Sequence, residues 1–447
     1  MTLTGDSTLK KFMKTMSNYW IVFGVVSTLI VCLVLEASIL SVSGFSTRPN
    51  PSTDIPIFTA LSVFSVIAQL IILNFVYTRN VPFQRSILRI MYMTMVLTQL
   101  AIIIILVIIL FEVNFMLSYY IIHLELVFMI SSVTAIVVMG ILSYKFITWF
   151  RLDKSKITFA YLVASLSLSL NAIIGILYVS DQLSYASDVI EPRPYGGFLM
   201  HGHYSSWSVP YTISFSLTFV LFWFGTILLL NSYRKRLGTI KFWIIMLVPL
   251  LYFLSQFQPL VTSMLLNFSY GNPIFSNIIY VLMLEVSTPV GGILFGIAFM
   301  LVARKIHNAK VKGYLVISGI GLLLLLISYR PQEIITGPFP PFGLLSVSFI
   351  GMSSYLVFFG IYSSAISVSQ DSNLRKSIRK SVEAEVNFIG NIASAEMTNT
   401  ITERVLRKVK AVSDRIPQDT GIATSLTDIE IKEYVAEVIN ETRNRKR

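Results

Sequence analysis

The chain has 447 residues, 54% of them hydrophobic and only 13% charged, about half the charged share of a soluble domain. That balance excludes a soluble globular fold and indicates an all-α, polytopic transmembrane helix bundle. The net charge of +12 does not point to nucleic acid, because the basic residues fall in short clusters between apolar runs, where they act as topology signals.

Residues 1–18 carry Lys10, Lys11 and Lys14 ahead of the first apolar run, 19–42. A cleavable signal peptide has an apolar region of only about 7–15 residues, so this run reads as an uncleaved anchor. Cys32, the single cysteine, lies within it, can form no intrachain disulfide, and reads as a small core residue. Further apolar runs follow at 57–78, 87–111, 119–144, 157–180, 211–232, 242–266, 278–303, 313–329 and 344–368, about ten spans filling residues 19–368. One set of connections holds Arg79 and Arg85, then Lys145, Arg151, Lys154 and Lys156, then Arg234, Lys235, Arg236 and Lys241, then Arg304, Lys305, Lys310 and Lys312. The opposite set holds only Arg48, Arg193 and Arg330. The positive-inside rule therefore sets both termini on the cytoplasmic face of the cell membrane. Five spans precede the longest outward loop, 181–210, and five follow. An odd-numbered half would be inverted relative to its partner, as in many secondary transporters.

The eighth run, IIYVLMLEVSTPVGGILFGIAFMLVA, carries a carboxylate, Glu285, together with Pro289, Gly292 and Gly296. A charge in hydrocarbon costs at least about 2.5 kcal/mol, so such a Glu faces protein or water or is held neutral. Pro289 removes the donor to the carbonyl four residues back, and Pro259 in the seventh run does the same there, so both are hinge candidates. Gly292 and Gly296 form a GxxxG pair that lets a neighbouring helix approach.

With this topology Glu36, Glu125, Asn171, Gln256, Gln258 and Glu285 all lie in the outer parts of their spans, roughly 8–15 Å below the outer surface at ~1.5 Å per residue. A polar layer at one depth is expected to line an outward-facing cavity for a ligand or ion. The competing reading is local: Glu36 and His123 solvated at the interface, the amides making interhelical hydrogen bonds. His123 and Glu125, two residues apart, point to different sides of their helix and make no metal pair. His201, His203 and Met200 in the long loop are too few to specify a metal. The segment YRPQEIITGPFPPFG, 329–343, reads as a stiff connection.

From 369 to 447 the composition turns charged, forming a cytoplasmic tail. Leu374, Ile378, Val382, Val386, Ile389, Ile392, Met397, Ile401, Val405, Val409 and Val412 recur at three- and four-residue steps, an amphipathic helix whose stripe requires a partner protein, a second copy through residues 374–412, or the membrane surface. Arg375, Lys376, Arg379 and Lys380 at its start fit anionic headgroups. Thr427 with Glu430 forms a capping box for a last short helix.

Walker, HExxH, GxSxG and CxxC patterns are absent, so neither an enzyme nor a cofactor or metal is expected. The junction PPFGLLSVSFIGMSSYLVFFGIYSSAISVSQDSNLRKSIRKS, 340–381, resembles a group of uncharacterised archaeal polytopic membrane proteins. In layout it is similar to the membrane sensor regions of histidine kinases, without an H-box or nucleotide-binding motif following. The resemblance brings no assigned residues; the polar layer on one side, with Glu285 and Glu125 lining an outward cavity, and the helical tail favour a sensor-like module that relays ligand binding to a partner. A secondary transporter with an intramembrane carboxylate, and a membrane subunit docked through its tail, are the alternatives.

Overall fold

A computed structural model describes residues 24–33, 35–36, 51–79, 86–185, 188–190, 205–257, 286–306, 308–329, 334–335, 339–371, 373–375 and 384–413. The helices are α1 (Gly24–Leu33), α2 (Pro51–Arg79), α3 (Ser86–Phe111), α4 (Ile121–Leu152), α5 (Lys156–Leu183), α6 (Ser208–Leu230), α7 (Tyr233–Leu237), α8 (Thr239–Ser255), α9 (Ser287–Arg304), α10 (Ala309–Ser328), α11 (Leu344–Ser348), α12 (Ile350–Gln370) and α13 (Ala384–Ser413). Eight stretches are long and apolar enough to cross a membrane, and α1 and α8 are shorter apolar helices. Together they occupy the ten expected runs, and the chain is a multi-pass membrane protein. An unpaired backbone amide has no water to turn to in lipid, and the helix is the form that satisfies every such group within one segment.

Local chemistry sets several boundaries. Pro51 opens α2, where its missing N–H costs nothing. The Asn308 side chain caps α10 by accepting from the amides of Lys310 at 3.0 Å and Val311 at 3.3 Å. α3 runs on into a π turn, Glu112–Met116, that closes at Leu117 with φ 50°. The short antiparallel pair β1 (Tyr119–Tyr120) and β2 (Val189–Ile190) then joins the ends of two connections.

Burial separates centre from periphery. The apolar window of Leu344–Gln370 is 100% buried and that of Ala309–Ser328 83%, against 28% for Ile87–Met116 and 33% for Ser52–Thr78. The tenth span is therefore the axis of the bundle, packed on α10, α4 and α3. Glycines make this possible. A Cβ on Gly296 of α9 would stand 2.7 Å from the Gly319 carbonyl of α10, and one on Gly321 of α10 would stand 2.7 Å from the Val357 amide of α12. Gly292 likewise faces the Leu323 carbonyl at 3.1 Å. Backbones at such separations leave no room for side chains.

Three expectations are corrected. The seventh helix ends at Ser255 rather than near 266. The eighth begins only at Ser287, so Pro289 lies in its first turn, where no intrahelical donor is lost, and it is not a mid-helix hinge. Over residues 388–393 the tail stripe does not wait for an outside partner. Phe388, Ile389, Ile392 and Ala393 of α13 are buried against the bundle itself, on α12, α4, α5 and α6. Beyond them Ile401 is exposed. Within the 329–343 connection Ile334, Ile335, Phe339 and Phe342 pack inward and are buried, with Phe342 edge-on to Phe58.

Candidate functional site

The tenth span is interrupted. α11 ends at Ser348, Phe349 lies in a turn, and α12 resumes at Ile350. Gly343, with φ 95°, opens α11 in a conformation that an L side chain rarely adopts. A short helix inside a membrane bundle leaves amides and carbonyls that need partners. Three other spans supply them, and a fourth supports one of the donors.

Glu36, fully buried beyond the end of α1, accepts from the amides of Gly343 at 2.8 Å and Leu345 at 3.2 Å through one oxygen. Its other oxygen accepts from the Ser346 amide at 3.1 Å and the Ser346 hydroxyl at 2.9 Å. It is an N-cap delivered by another helix, with both carboxyl oxygens turned to the amide end of α11. On the carbonyl side, Ser131 of α4 donates to the Val347 carbonyl at 2.8 Å and accepts from the Gly351 amide at 3.0 Å, bridging the break. Gln99 of α3 donates to the Ser348 carbonyl at 3.3 Å and to Gln69 Oε1 of α2 at 2.8 Å. Gln69 in turn donates to Ser348 Oγ at 2.9 Å. Both glutamines are fully buried. The two acceptors facing Gln99 Nε2 fix its amide orientation and leave Gln99 Oε1 without a hydrogen-bond partner among the described residues.

Three of the residues expected in a common outward cavity, Glu36, Glu125 and Asn171, have separate partners. Glu36 is not solvated at the interface but sealed against residues 343–346. Glu125 accepts from Ser180 of α5 at 2.9 Å. Asn171 accepts from Ser214 of α6 at 2.6 Å, an interhelical bond. Gln256 closes α8, with its Nε2 buried and unpaired among the described residues. Glu285, Gln258, Pro259, His201 and His203 lie outside the described residues, and with Glu285 the expected convergence on Glu125. His123 meets Glu112 of the π turn at 3.1 Å. Arg375 donates to the Ser369 carbonyl at the end of α12; Lys376, Arg379 and Lys380 lie outside the described residues, as do Thr427 and Glu430. Gly292 and Gly296 stand at the α9–α10 contact.

Sequence reasoning missed Gln69, Gln99, Ser131, Ser346 and Ser348. The available signal is two amides deep in long apolar runs of consecutive spans. Leucine in place of Gln99 is expected to leave the Ser348 carbonyl and Gln69 Oε1 unpaired and to lower stability by about 1–3 kcal/mol, measured as a shift of the unfolding midpoint in detergent micelles. Ser131→Ala removes both halves of the bridge across the break and is expected to cost a similar amount. Ser132→Ala, whose hydroxyl has no hydrogen-bond partner among the described residues, is expected to cost much less.

A second polar contact lies at the other end of the tenth span. Trp149 Nε1 of α4 donates to Glu396 Oε2 of α13 at 3.0 Å, with Glu396 fully buried. Trp149 stacks on Tyr362 of α12 with ring centroids 6.3 Å apart, and Lys145 Nζ sits 5.1 Å over the same tyrosine. Comparison with family models, with curated proteins and with solved structures finds no match.

Proposed function

We propose that the chain is a sensor-type membrane relay, with both termini cytoplasmic, in which α12 couples the outer polar network to the tail helix α13. The observation carrying this reading is the placement of one helix, its apolar window wholly buried, between a hydrogen-bonded break at one end and a docked amphipathic helix at the other. A ligand that favours a different arrangement of residues 343–351 must shift α12 relative to α4, and α13 rests on both. The layout resemblance to kinase sensor regions points the same way. In a Cys32→Ser background, a spin label at Glu403→Cys reports the mobility of α13. Ser131→Ala or Gln99→Leu is expected to raise that mobility in folded protein; an unchanged spectrum in both would end the relay reading.

A secondary transporter is the second reading, favoured by a membrane helix interrupted beside a buried carboxylate. It is tested in proteoliposomes loaded with a pH dye. Under that reading the wild-type protein dissipates an imposed pH gradient and folded Glu36→Gln does not. Equal rates from both would remove Glu36 as the coupling site.

A further inference from the structure

We infer that α13 is a removable plug that closes the inner end of the bundle beneath an internal cavity. The inference holds under either functional reading. A cavity of about 10 Å³, room for one water, is lined by Leu142, Phe146, Tyr161, Ser165, Phe222 and Leu322, among others, from α4, α5, α6, α10 and α12. Four of these five, all but α10, are the helices on which α13 rests. Tyr161 forms the wall between the two: it lines the cavity, and its ring centroid lies 5.7 Å from that of Phe388 on α13. Phe146, also in the cavity wall, packs edge-on to Trp149, the residue that holds Glu396.

The plug is built to be released. Its buried face is only partly apolar, because Phe388, Ile389 and Ile392 are followed one turn later by the carboxylate of Glu396. A carboxylate regains full hydration when it leaves a protein interior, so it subtracts from the docking that the three apolar side chains favour. Beyond its docked turns α13 is charged, with Glu403, Arg404, Arg407 and Lys408 exposed, whereas the spans expose large apolar side chains such as Leu97, Ile104 and Ile213. Released, α13 can therefore be solvated by water, as none of the spans could be. Withdrawing Phe388 and Glu396 uncovers Tyr161 and Trp149 and leaves Tyr161 and Phe146 as the remaining barrier to Ser165.

The experiment uses the full chain with Cys32→Ser, which removes its single cysteine, and Ser165→Cys as the reporter. Modification by a small water-soluble maleimide is followed in nanodiscs, with Ser62→Cys on α2 as a buried control. With native α13 the Ser165→Cys thiol is expected to react slowly. Glu396→Lys, which opposes burial at that position, is expected to raise the rate at least tenfold and leave Ser62→Cys unchanged. Phe388→Asp serves where Glu396→Lys does not give monodisperse protein. Three results overturn the inference: fast reaction with native α13, an unchanged rate in every folded α13 variant, or an equal rise at Ser62→Cys, which would be general loosening.

Discussion

Alanine in place of Glu36 is expected to be among the most damaging single changes in the protein. It strips the partners from three backbone amides, of Gly343, Leu345 and Ser346, and from the Ser346 hydroxyl. Each buried donor left unsatisfied costs about 1–3 kcal/mol, so the three amides alone set a loss of about 3 kcal/mol or more. Glutamine keeps one oxygen and turns an NH2 group toward donors, so it is expected to recover part of that loss but not all. Ser346→Ala removes only one hydroxyl donor and is expected to cost about 1 kcal/mol. Unfolding midpoints in detergent micelles, ordered alanine below glutamine below wild type, check the cap. If glutamine equals wild type, the second carboxyl oxygen facing α11 contributes nothing; if alanine does too, Glu36 is not a cap.

The contrast between fold and site follows from how far apart in the chain the interacting residues lie. Spans are read from contiguous apolar residues, and the tail helix from a stripe repeating every three or four, so both signals are local. Glu36 meets Gly343 across a separation of 307 residues, and Trp149 meets Glu396 across 247. No linear pattern encodes such meetings. Depth is the proxy a sequence offers, and it groups Glu36, Glu125 and Asn171 at one level while saying nothing of direction around each helix. Three residues at one level on three helices can face three ways, and here each faces its own neighbour. The stripe on α13 is legible for the same local reason, but its occupant is not, because the groove that receives it is assembled from four helices.

Spacing along α10 sets the second large effect. On one side Gly319 meets Gly296 of α9, where a Cβ on Gly319 would stand 2.6 Å from the Gly296 carbonyl. On the other, a Cβ on Gly360 of α12 would stand 2.7 Å from the Ser318 amide and closer still to the Tyr314 carbonyl. Ser318 Oγ, which also stands against Gly360, can rotate away, but the carbonyls and the amide are backbone atoms and cannot, so the helices must separate. Overpacking typically costs about 1–3 kcal/mol and sometimes more. Gly360→Ala is expected to reach the upper end of that range, because it moves α12, which carries the break, the Ser131 bridge and the surface for α13. Gly140→Ala, whose Cβ would meet only Ser169 Oγ at 4.0 Å, is expected to be tolerated on the same scale. Gly296→Ala shifts α9 on α10, which lies farther from α13, so it is expected to lower the unfolding midpoint without changing the mobility of a label at Glu403→Cys. Gly360→Ala is expected to change both. Identical behaviour of the two variants would mean that α12 has no privileged connection to the tail.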